Sequence, residues 1–136
     1  MALVGGGDVG CETAEFLAAR GREVTILELL PDVAPELVPW TRHMLLDRLV
    51  AMGVEILLQS RVTAIDRGRV TYERRGVSNE VAPVDSVVLA CGAQPQVALA
   101  DQLRTAGVEV HTIGDAAQPG NLATAIRAGF QLGASL

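Results

Sequence analysis

Three glycines near the start of the chain have the spacing most able to do chemistry. Gly5, Gly7 and Gly10 read G-x-G-x-x-G directly after the apolar run Met1 to Val4 and at the opening of a helix-forming stretch. In such a loop the first glycine permits a tight turn and the second lets backbone approach a pyrophosphate. The third lets helix and strand pack closely, and the helix N-terminus presents free N–H groups and positive dipole to the phosphates. Gly6, Asp8 and Val9 complete the loop. Asp8 and Glu12 also suit the first turn as dipole-stabilising acids with no ligand role.

Glu28 is the second chemical residue. It follows the apolar segment Glu23 to Leu27, at about the distance where a carboxylate accepts hydrogen bonds from an adenosine ribose. A carboxylate there repels a 2′-phosphate, and no Arg or Lys occurs from Val24 to Trp40. That combination favours NAD(H) over NADP(H). The bland alternative is a polar strand end. His43 and His111 have no partners at metal-ligand spacing, and no side chain qualifies as a catalytic acid, base or nucleophile. Cys11 and Cys91 are too few and too far apart for a disulfide framework or an iron–sulfur cluster. Cys11, in the first turn of the loop helix, is expected to have its thiol pKa lowered by the dipole. Cys91 ends a strand that in a doubly wound sheet runs beside Met1 to Val4, so a pair with Cys11 at the same edge of the sheet is conceivable, but two reduced thiols are expected.

The elements that must hold these residues alternate between strand and helix. Met1 to Val4, Glu23 to Leu27 and Val54 to Leu58 read as buried strands, with helices over Asp8 to Arg20 and Trp40 to Met52 between them. Val62 to Ile65, Arg69 to Glu73 and a weaker segment near Glu80 and Val81 form short runs separated by turn residues, an antiparallel meander. Ser86 to Ala90 returns as a strand. Gln96 to Thr105 reads as a helix, Val108 to Ile113 as a last strand and Leu122 to Leu132 as a last helix. The fold class is α/β: a Rossmann-like parallel sheet flanked by helices, with an antiparallel β-meander in the crossover. The last strand is expected either in a neighbouring domain or beside Ser86 to Ala90.

Composition agrees. The 136 residues are 49% hydrophobic, carry a net charge of -5 and include only 3% aromatics. A packed core is expected, while a nucleic-acid surface, which needs clustered cations and stacking groups, is excluded. No apolar run reaches membrane-spanning length, and Met1 to Val4 is too short for a signal peptide. A bacterial-type cytoplasm fits best.

Longer stretches carry a family resemblance. Gly5-Gly6-Gly7-Asp8-Val9-Gly10-Cys11-Glu12-Thr13-Ala14 resembles the NAD-domain loop of the pyridine nucleotide-disulfide oxidoreductases, flavoproteins with two dinucleotide-binding domains. Val87-Val88-Leu89-Ala90-Cys91-Gly92-Ala93-Gln94-Pro95 is similar to their strand-end motif A-T-G-x-x-P, with Cys91 in place of Thr. His111-Thr112-Ile113-Gly114-Asp115-Ala116 resembles their G-D motif. Val33 to Leu37 and Gly114 to Pro119 look most like the C-terminal region of the large NADH:flavin oxidoreductases. These are old-yellow-enzyme relatives that include 2,4-dienoyl-CoA reductase and trimethylamine dehydrogenase.

The resemblance implies NAD(H) on Gly5 to Gly10 and Glu28, Val62 beside the adenine, and Cys91 and Gly92 close to the cofactor. It implies that Gly114 and Asp115 serve FAD in the intact enzyme. Read by themselves, Val62 is a core valine and Asp115 a cap between strand and helix. The chain then reads as an NAD-binding domain over residues 1–95 and the returning segment of a FAD-binding domain over residues 96–136. The glycine loop that would hold the FAD diphosphate is not among these residues. The partners implied are a nicotinamide dinucleotide and the flavin-binding domains of a parent enzyme, whose NADH would deliver hydride to the flavin. Two other classes use a similar loop: a module holding ADP as a scaffold without turnover, and a methyltransferase. The third glycine and the meander weigh against the methyltransferase.

Overall fold

The computed structural model describes all of Met1–Leu136 and divides into two compact units, Met1–Gly92 and Ala93–Leu136. The first unit runs β1 (Ala2–Val4), α1 (Asp8–Ala18), β2 (Thr25–Leu27), α2 (Pro39–Ala51) and β3 (Glu55–Leu57). It continues through β4 (Arg61–Asp66), β5 (Arg69–Arg74), β6 (Val77–Val81) and β7 (Val87–Leu89). β3, β2, β1 and β7 lie in that order in one sheet, every neighbouring pair parallel. β4, β5 and β6 form a separate antiparallel sheet.

Strand alternation explains how two layers cover the parallel sheet. Successive side chains point to opposite faces. Leu3 and Ile26, register partners on β1 and β2, join the core that includes Cys11 and Ala14 of α1 and Leu45 and Leu49 of α2. Ala2 and Leu27 point the other way, into a second core with Val70 and Tyr72 of β5 and Val84. The helices therefore cover one face and the meander covers the other. Glu15 and Arg48 add a two-pronged ion pair between α1 and α2. At its exposed position it contributes little beside the apolar packing.

The second unit holds α3 (Ala98–Thr105), a single 3-10 turn over Gly114–Ala116 and α4 (Leu122–Gly133). Asn121 caps α4 reciprocally with Thr124, each side chain accepting the other's backbone N–H. The predicted strand over Val108 to Ile113 does not form. A strand exists only by pairing, and this segment has neither a partner strand nor a core to lie on. No residue from Ala93 to Leu136 is buried, and Leu122, Ile126 and Phe130 stand exposed at successive turns of α4.

Candidate functional site

β1 ends at Val4, and the next three residues turn the chain into α1. Close contacts call for glycine at Gly5, at Gly6, where a Cβ would lie 2.5 Å from Val33 Cγ1, and at Gly10 in the first turns of α1. Gly5 has φ +104, a region side chains avoid, and a Cβ there would lie 2.3 Å from the Ala90 carbonyl oxygen after β7. A Cβ on Gly10 would lie 2.0 Å from the Gly5 carbonyl oxygen and 3.2 Å from Leu3, so the α1 backbone rests directly on the end of β1. Gly7 differs. It is exposed, its φ of -67 suits any residue, and nothing lies within 4 Å of where its Cβ would be. As N-cap of α1 it offers no side chain to the first-turn N–H groups. Those donors and the helix dipole stand open to an anion.

Gly6 ties the loop down. Its N–H donates to Glu28 Oε2, and its carbonyl accepts from Ala34 N–H at 2.7 Å and from the Cys11 thiol at 3.4 Å. The other Glu28 oxygen, Oε1, accepts from Leu30 N–H at 2.6 Å. Glu28 is therefore a brace as well as a cleft residue: only 8% exposed, with one bond to backbone from each carboxylate oxygen. Each oxygen keeps a further lone-pair direction for a hydroxyl donor.

A cleft of about 460 Å³ opens at this end of the parallel sheet. Of the residues singled out from sequence, Gly5, Gly7, Glu28, Val62, Cys91 and Gly92 line it. Gly6 and Gly10 are buried in the packing of the loop instead. Val9 is 70% exposed on the first turn of α1. Asp8 Oδ1 is the chain's one buried side-chain oxygen or nitrogen without a hydrogen-bond partner, so the mouth of α1 holds an unused acceptor. Leu29, Leu30, Ser60 and Arg61 also line the cleft, and sequence reasoning had missed them. Their signal lies in strand pairing: Ser60 N–H donates to the Glu28 carbonyl at 2.8 Å and Gln59 N–H to the Leu30 carbonyl at 3.1 Å.

Gly114 and Asp115 lie in the second unit. Gly114 lines a smaller cavity of about 270 Å³ with Thr112, Gln118, Gly120 and Thr124. Asp115 Oδ1 accepts from Gly120 N–H at 3.2 Å and so closes the loop that leads into α4. His43 pairs with Asp47 and His111 with Glu109 on the surface, and no group of His, Cys, Asp or Glu is placed to hold a metal ion.

The expectation for Cys11 is overturned. Burial, then the charges of Asp8 and Glu28, raise its thiol from 9.0 to about 11, outweighing the local dipole. A buried, protonated thiol is inert, whereas Cys91 is exposed and accessible to reagent. Iodoacetamide at pH 8 should therefore modify Cys91 in the folded chain and leave Cys11 intact with or without nucleotide. Mass spectrometry checks this, and rapid native labelling of Cys11 would contradict it. Because the folded pKa lies above the unfolded value, the folded state holds the proton longer. Stability is then full below pH 9 and declines as pH climbs towards 11. Cys11→Ala should flatten that part of the profile.

A parallel sheet that delivers a glycine loop, an open helix N-terminus and a buried acid to one cleft defines a Rossmann-type dinucleotide-binding fold. The chain belongs to the pyridine nucleotide-disulphide oxidoreductase family, whose profile matches residues 1–131. It is 35% identical over 134 residues to an NADH oxidase of Thermoanaerobacter brockii, covering 97% of this chain and 20% of that protein. Among solved structures it matches 2-naphthoyl-CoA reductase with a TM-score of 0.83 at 26% identity, covering 99% of this chain and 21% of that one. It matches the histamine dehydrogenase of Rhizobium sp. 4-9 with a TM-score of 0.78 at 28% identity, over 99% and 23%. The chain thus spans about a fifth of the length of these relatives. The kinship expected from the motifs holds, and NAD(H) and FAD are the cofactors it implies. No helix is long and apolar enough to cross a membrane.

Proposed function

We propose that the first unit binds NAD(H) and positions it within a larger flavin-dependent oxidoreductase. The observation that carries this reading is the open face at Gly7, where an uncapped α1 N-terminus lies at a cleft shared with Glu28. The first-turn N–H groups hold the pyrophosphate, and Gly7 lets backbone come close to it. The free lone pairs of Glu28 accept from the adenosine ribose hydroxyls, with Val62 against the adenine. Cys91 and Gly92 also line the cleft. When bound, the nicotinamide ring supplies a hydride for a flavin; the protein's part is orientation and electrostatics. Gly114 and Asp115 belong to the returning segment of the flavin domain, and the remainder of that domain is this chain's partner. Two free thiols support a reducing, cytoplasmic setting.

Calorimetric titration with NADH, ADP and S-adenosylmethionine tests the reading. NADH should bind more tightly than ADP, and S-adenosylmethionine should give no heat. Equal affinity for NADH and ADP would favour the scaffold role instead, and preferential binding of S-adenosylmethionine would refute the assignment.

A further inference from the structure

Glu28 has a cationic neighbour that the glycine-loop motif does not contain. Arg61 opens β4, directly after Ser60, whose N–H is bonded to the Glu28 carbonyl at 2.8 Å. Glu28 N–H in turn donates to the Leu57 carbonyl at 2.9 Å, so the end of β2 is held on both sides by the chain that leads to Arg61. Gln59, with φ +53, makes the sharp change of direction between β3 and β4. Arg61 lines the same cleft as Glu28, and no other Lys, Arg or His does. It is exposed and takes part in no ion pair, although Glu73 is its register partner across the meander. The site therefore holds one braced carboxylate and one guanidinium with no charged partner.

We propose that Arg61 is a second determinant of nucleotide choice, acting against Glu28. This rests on the nucleotide-binding reading of the cleft. Glu28 rejects a 2′-phosphate by charge, while the Arg61 fork can hold that phosphate through paired N–H donors. The chain then prefers NADH but admits NADPH, and the margin between them is set by these two side chains. NADH, which lacks the 2′-phosphate, gains little from the guanidinium beyond contact with the adenine face.

Calorimetry on the full 136-residue chain with NADH and NADPH tests the proposal, comparing wild type with Arg61→Ala and Arg61→Lys. Because Arg61 is exposed and carries no structural bond, both variants should fold as the wild type does. Arg61→Ala should weaken NADPH about tenfold, the order expected for losing one charge-assisted contact, and NADH by about threefold at most. Arg61→Lys, which keeps the charge without the fork, should fall between. An unchanged NADPH to NADH ratio in Arg61→Ala would overturn the role of Arg61, and so would a wild type that binds NADH with no detectable NADPH binding. A wild type that binds neither nucleotide would overturn the nucleotide reading itself, and this inference with it.

Discussion

Gly10→Ala is expected to destabilise the chain by about 3 kcal/mol, the upper part of the usual range for overpacking. The added methyl would sit 2.0 Å from the Gly5 carbonyl oxygen, and backbone cannot swing aside as a side chain can. Either α1 lifts from the end of β1 or the glycine loop opens, and both moves disturb the core that Leu3 shares with Cys11 and Ala14. Gly7→Ser should behave in the opposite way. At φ -67 with open space around it, a serine is unstrained and supplies the N-cap hydroxyl that α1 lacks. Stability should hold or rise by about 0.5 kcal/mol, while NADH affinity should fall at least about tenfold because the hydroxyl occupies the phosphate's place. Denaturant titration and calorimetry on the two variants separate the roles. Equal loss of stability in both would mean that the loop's glycines serve packing alone.

Glu28→Gln is the second large effect. Both carboxylate oxygens accept backbone N–H groups, from Gly6 and Leu30, and glutamine can turn only one acceptor towards them. Its amide N–H groups then face a backbone donor in a nearly closed site. Losing one bond to a charged acceptor and leaving a buried N–H unsatisfied should cost about 2–3 kcal/mol. The same change removes the negative charge at the cleft, so the preference for NADH over NADPH should narrow. A denaturation midpoint within error of wild type would show that the brace contributes nothing.

What was legible in the sequence was local. The glycine loop declares itself because strand, turn and helix follow one another within ten residues. The meander shows in the turn residues around Arg67 and Gly68, but Val77 to Asn79, read as turn, lie in β6, and the second turn sits at Arg75 and Gly76. The register that brings Ser60 and Arg61 beside Glu28 is a long-range consequence of β2 pairing with β3, and scanning for cations from Val24 to Trp40 could not find it. Cys11 was misread for the same reason. A helix dipole is visible in sequence, whereas complete burial under β1, β2 and α2 is a property of the assembled core. The apolar run from Val108 to Ile113 has strand-forming residues, but strand character depends on a partner. Glu28 was found for one role and has two, because nothing in its neighbours announces that Gly6 and Leu30 will turn their amides towards it.

In the proposed function, nucleotide phosphates rest on the first turn of α1. At 14.3 kDa the chain suits amide-resolved NMR, and titration with NADH reads that contact directly. The largest amide shifts are expected at Gly7, Asp8 and Val9, with smaller ones at Val62 and Gly92. Saturating NADH that leaves Gly7 to Val9 unmoved, or shifts confined to residues 93–136, would contradict it.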